Sequence, residues 1–201
     1  MATRFNKQSG SKYTSKKGKK TCGRSALSIF VTYLVAIMPQ KETQRPNIGL
    51  SEEDRKGVTG ILSKLLADEY LLFTKTRNYH WNVVGPHFHD LHKFFESQYE
   101  EIDGKIDEIA ERIRSLGGHT IATLSEFVQN ARLEENPGEY SDARTMLSKL
   151  LADHESVVRA LRGEVNVCFD KYHDIGTQDF LTGLIEDHEK MAWMLRATIS
   201  A

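Results

Sequence analysis

The sequence predicts an all-α protein, a four-helix bundle with one long crossover that carries a short helix of its own. Three observations predict it. Four long segments place apolar residues at helical spacing, and each is bounded by capping or breaking residues. The connections between them run short, long, short, as in a bundle with a single crossover. No alternating strand pattern and no repeat of solenoid period is present.

The folded domain is expected over residues 50–201, preceded by an extension over 1–49. Residues 1–24 hold eight Lys or Arg and no acid, in a Ser-, Gly- and Thr-rich context with little to bury, which predicts disorder. Ser25 to Met38 is apolar but too short for an ordinary membrane span. Three readings of this start are open: translation beginning at Met38, a genuine disordered tail, or an export signal with a poor cleavage site.

Ser51 followed by Glu52, Glu53 and Asp54 is a helix N-terminus, a hydroxyl cap with acids in the first turn. Val58, Ile61, Leu62, Leu65, Leu72 and Phe73 mark the inner face of this first helix, which runs to about His80 or Asn82. Gly85-Pro86 breaks it, and a second helix starts near His87. Phe88, Leu91, Phe94, Phe95, Ile102, Ile106, Ile109, Ile113 and Leu116 give its apolar stripe, and Gly117-Gly118 stops it. Within the crossover, Thr123 to Asn130 forms a short helix and Asn136-Pro137-Gly138 a turn. Ser141-Asp142 caps the third long helix, with Met146, Leu147, Leu150, Leu151, Val157, Val158, Leu161 and Val165 inward. His173 to Gly176 separates it from the fourth, Thr177 to about Ile199, with Phe180, Leu181, Leu184, Ile185, Met191 and Leu195 inward.

Chemistry concentrates at the first and second helices. His80, His92, Glu96, Asp107 and Glu111 are all able to bind metal. Asp107 and Glu111 are one turn apart on one helix face, so they can hold one cation together. His92 and Glu96 repeat that spacing nearer the start of the same helix. Fifteen residues separate His92 from Asp107, about 22 Å along a helix, and no single ion spans that gap. One site built from all five residues therefore needs two chains, and two antiparallel copies of the helix about a two-fold axis would form two equivalent sites.

The segment resembles the signature of the Dps family (DNA-binding protein from starved cells), the dodecameric miniferritins. The resemblance rests on His80 in H-W-N, His92 twelve residues on, Glu96 four later, and Asp107 with Glu111 in D-E-I-A-E-R; it runs from about Leu50 to the C-terminus. The acidic position is often Asp in that family and is Glu96 here. The resemblance implies a ferritin-like bundle and a ferroxidase centre at a two-fold subunit interface, with His80, His92, Glu96, Asp107 and Glu111 as its ligands. It also implies Fe(II) oxidation to Fe(III), preferentially by hydrogen peroxide, and storage of the ferric mineral in a hollow dodecamer. Trp81 would lie beside the site, either as interface packing or as a side chain that quenches oxidising equivalents.

Ferritin-like bundles that hold their metal internally use Glu-x-x-His on two helices. None occurs on the four long helices here, and in Asp153-His154-Glu155 and Asp187-His188-Glu189 the neighbouring groups point to different faces. The residues thus favour an interface site over one inside the bundle. A mixed imidazole and carboxylate set suits iron and also fits zinc or cobalt, so a metal-binding oligomer without oxidase activity is a further reading.

The chain has 27 Lys and Arg against 28 Asp and Glu. The eight basic residues of the tail leave a body of net −9, so contact with DNA phosphates would fall to the tail alone. A nucleoid protein that compacts DNA through that tail is the alternative function. Two cysteines, Cys22 and Cys168, do not suggest a disulfide framework. A cytoplasmic protein without membrane contact is expected, associated with the nucleoid if the tail binds DNA.

Overall fold

A computed structural model describes residues 45–200. The expectations for the basic stretch and for Ser25 to Met38 lie outside the described residues. The elements are α1 (Glu52–Asn82), α2 (Phe88–Ser115), α3 (Leu124–Asn130), α4 (Ala143–Asp170) and α5 (Ile175–Ile199). The architecture is a ferritin-like four-helix bundle with α3 in the crossover between α2 and α4. α1 packs mainly on α2, and α4 on α5. Among the described residues no helix is long and apolar enough to cross a membrane.

The helix ends follow local chemistry. Ser51 accepts from the Asp54 amide at the start of α1, Asp142 from Thr145 at α4, and Asp174 from Thr177 at α5. Thr123 and Glu126 form a reciprocal capping box at α3. α2 stops where expected. Gly117 takes φ +83, and the Gly118 amide reaches back to the Ile113 carbonyl at 3.0 Å. α5 begins at Ile175, two residues before the expected Thr177, because Asp174 supplies the cap and Gly176 falls inside the first turn.

Two apolar clusters fill the bundle. One joins Leu62, Leu65, Ile109, Ile113, Leu161 and Leu181, and the other joins Leu72, Phe95, Ile102, Leu150, Met191 and Leu195. Each buried Leu or Ile side chain stabilises by roughly 1.5–3 kcal/mol. Ile61, Phe73, Phe94, Ile106, Leu151, Val158, Val165 and Phe180 are only partly buried. Phe88, expected inward, is 45% exposed. It stands in the first turn of α2, its ring 5.2 Å from that of His92.

Polar anchors fix the helices' relative placement. Lys75 on α1 and Asp153 on α4 pair at 2.6 Å, nearly buried. Arg112 on α2 donates to Thr177 and Asp174 at the start of α5. Arg55 donates to the carbonyl of Leu116, tying the start of α1 to the end of α2.

Candidate metal centre

His80 lies in the last turn of α1, where the negative end of the helix favours it, and His92 in the first turns of α2. The short link folds these two ends together. The rings stack with centroids 3.7 Å apart. His80 Nδ1–H donates to the carbonyl of His92, and His92 Nδ1–H donates to the carbonyl of His80, both at 2.8 Å. A backbone carbonyl can only accept, so each ring carries its proton on Nδ1 and keeps its Nε2 lone pair free. This is the arrangement metal-binding imidazoles use, with the second nitrogen tied to an acceptor.

Glu96 sits one turn after His92. The Lys93 ammonium, 2.6 Å away, holds its carboxyl below the usual carboxylate range, opposed by partial desolvation and aided by the field of His80 and His92. Lys93 engages Glu96 Oε2. Tyr99 meets His80 edge-on at 5.3 Å. The Arg77 guanidinium lies 5.3 Å from the Trp81 ring and 5.5 Å from that of Tyr99. Trp81 is 65% exposed, so it is available to a partner surface.

Asp107 and Glu111 also lie on α2, one turn apart and exposed. Because α2 is unbroken from Phe88 to Ser115, Asp107 stands about 22 Å from His92 and Glu111 a further turn away. One chain thus brings together His80 and His92, with Glu96 one turn along α2, and leaves Asp107 and Glu111 apart. Among the described residues no three such side chains converge on one ion position within the chain. His87 and His89 are exposed and join neither group.

One buried cluster escaped the sequence. His154 and His188 both turn inward and meet at 2.9 Å, Nδ1 to Nδ1, while His188 Nε2 lies 2.9 Å from the Glu69 carboxylate. All three are fully buried. The expectation that adjacent residues point apart holds: Asp153 pairs with Lys75, Glu155 with Arg196, Asp187 with Lys105 and Glu189 with Arg162. Only the middle histidine of each triplet enters the core. Two D-H-E triplets on adjacent helices were the available signal.

Comparison with known proteins agrees with this architecture. The ferritin-like domain family matches residues 60–201. A low temperature-induced protein of a Nostoc species is 50% identical over 77% of this chain and 87% of its own length. DNA protection during starvation protein 2 of Bacillus anthracis is 38% identical over 72% of this chain and 98% of its own. The crystal structure of a Dps protein from Vibrio cholerae, described as a member of a superfamily of ferritin-like diiron-carboxylate proteins, superposes with TM-score 0.72. It is 30% identical, covering 77% of this chain and 96% of that one.

Proposed function

The chain belongs to the Dps family of ferritin-like proteins, and we propose that it is a ferroxidase that oxidises Fe(II), preferentially with hydrogen peroxide, and stores the ferric product inside a dodecameric shell in the cytoplasm. The observation that carries this reading is the reciprocal His80–His92 pair, which leaves two Nε2 donors free beside Glu96. In the proposed site a second copy of the chain supplies the exposed Asp107 and Glu111 across a two-fold axis. Fe(II) is the substrate. The imidazoles bind it as neutral donors, and the carboxylates offset the charge that rises when Fe(III) forms. Peroxide takes one electron from each of two Fe(II) ions, its O–O bond breaks, and with two added protons both oxygens leave as water. Peroxide and ferrous iron are removed together.

The test is complementation between subunits. A His80→Ala/His92→Ala chain and an Asp107→Ala/Glu111→Ala chain should each assemble but oxidise Fe(II) at least about 100-fold more slowly. In a mixed dimer one site loses all four ligands and the other retains all four. Activity returning on co-assembly supports a two-chain site; inactivity in verified mixed dimers rejects it.

A second reading, DNA compaction, is favoured by the eight basic residues of 1–24 against a body of net −9. Twelve tails on one shell would add weak phosphate contacts through avidity. The full chain should then retard DNA at low salt and release it steeply as salt rises, whereas a chain beginning at Met38 keeps ferroxidase activity and loses retardation. Equal retardation by the shortened chain would exclude the tail as the DNA-binding element.

A further inference from the structure

Three ionisable side chains lie buried close to where the two apolar clusters of the bundle meet. On α1 the boundary between them falls between Leu71 and Leu72, on α4 it lies between Leu150 and Val157, and on α5 between Ile185 and Met191. His154 and His188 occupy the boundaries on α4 and α5, and Glu69 lies two residues before the one on α1. No other histidine among the described residues is completely buried. Burying ionisable groups in a leucine core costs several kcal/mol unless they are paired, so the pairing decides whether the layer stabilises.

The pairing is a linear chain, not a shared centre. His188 Nε2 lies 2.9 Å from Glu69 Oε1, and its Nδ1 lies 2.9 Å from His154 Nδ1. Two imidazole nitrogens at that distance accommodate one proton between them. A neutral pair keeps that proton, on His154 Nδ1, and loses only the charge attraction to Glu69; with a second proton there, an N–H meets an N–H and two cations adjoin in a dry core. Both carboxylate oxygens of Glu69 and the Nε2 atoms of His188 and His154 lack an aligned hydrogen-bond partner, so Glu69 and His188 meet as charges at short range.

We infer that Glu69, His188 and His154 form a proton-operated lock across α1, α5 and α4, closed while the histidine pair carries a single extra proton and weakened by either gaining or losing one. In the closed state His188 is an imidazolium between the Glu69 carboxylate and a neutral His154. The charged surroundings agree with that assignment. Burial, the largest influence, lowers His188, but the Glu69 carboxylate, with Asp187 on α5 and Glu101 on α2 adding to it, leaves it above the ordinary histidine value of 6.5. Burial, and then the charge of His188, push His154 well below 6.5. The nearby cations are already engaged: Lys105 on α2 with Asp187, and Lys75 on α1 with Asp153.

The signs give two limbs. His154 is neutral in the bundle and protonates more readily in the unfolded chain, so its contribution is present above 6.5 and lost as pH falls below it. His188 is the reverse: its contribution is present below 6.5 and lost as pH rises through its raised value. Stability from the layer therefore passes through a maximum near neutrality, and acid loosens α5 from α1 and α4. This inference is independent of the iron reading.

Hydrogen exchange of the assembled protein tests it, following the α5 segment around His188 and correcting for the intrinsic pH dependence of exchange. In the wild type, opening should rise about tenfold per pH unit below 6.5, the slope of one proton. His154→Gln keeps an acceptor for His188 Nδ1–H and removes the second proton, so the acid limb should vanish while the alkaline limb stays. Glu69→Gln should shift the alkaline limb to lower pH. His80 and His92 are intact in both variants, so titration at the candidate metal centre cannot mimic the difference. A flat wild-type profile, or an unchanged acid slope in His154→Gln, overturns the inference. So does stoichiometric Co(II) uptake by a His80→Ala/His92→Ala/Asp107→Ala/Glu111→Ala protein that disappears with Glu69→Gln, because the layer would then be a metal site.

Discussion

The guanidinium of Arg132, just after α3, closes on the buried carboxylate of Asp68 in the middle of α1 at 2.6 Å. The same carboxylate accepts from the backbone amides of Arg132 and Leu133, and Arg132 continues to Glu164 on α4 at 2.6 Å. One acidic side chain, 1% exposed, thus fastens the long crossover to the bundle. Removing one partner of a buried pair strands the other and orphans the two amides. Asp68→Ala should therefore cost about 3–5 kcal/mol and release the crossover first. Denaturation at fixed protein concentration, with proteolysis of residues 119–142 as a local probe, checks this; Asp68→Asn, which keeps an acceptor, should cost less.

Gly57 is required by contact rather than by backbone conformation. A Cβ built there would lie 2.2 Å from the ring of Tyr172, in the turn between α4 and α5. Gly57→Ala should destabilise by about 1–3 kcal/mol through overpacking, although alanine is the better helix former. Adding Tyr172→Ala should recover part of the loss. A double-mutant cycle reads the coupling, and strict additivity would show that the two residues do not press on each other.

Cys168 is fully buried on α4, and desolvation, with Asp174 and Glu164 adding to it, pushes its thiol up to about 11. At pH 8 only about one thiol in a thousand is ionised at that value, and thiolate is the reactive form. In a Cys22→Ser chain, labelling by a thiol reagent at pH 8 should be negligible for the folded protein and rapid once it unfolds. The raised value also means that Cys168 contributes stability below about pH 8.5 that is lost as pH climbs towards 11. Rapid labelling of the folded chain would show that α4 opens locally.

Much of this protein is determined by residues close together in sequence. Ser51, Asp142 and the Thr123–Glu126 box start helices because a side-chain oxygen needs only the amides two or three residues on, and Gly117 stops α2 because its own φ is positive. The separation of Asp107 from His92 is equally local, since an unbroken helix converts residue number into distance. That is why the proposal of a site shared between chains rests on spacing within one helix and not on tertiary contacts. The reciprocal His80–His92 bonds, the capture of Arg132 by Asp68 and the Glu69–His188–His154 layer could not be read that way. Each joins residues on different helices or across a connection, so it depends on how the helices are rotated and slid against each other. Periodicity names the face a residue occupies. It does not say which residue of another helix stands opposite at 2.9 Å, and only packing of the whole bundle decides whether two inward histidines meet a carboxylate or a leucine.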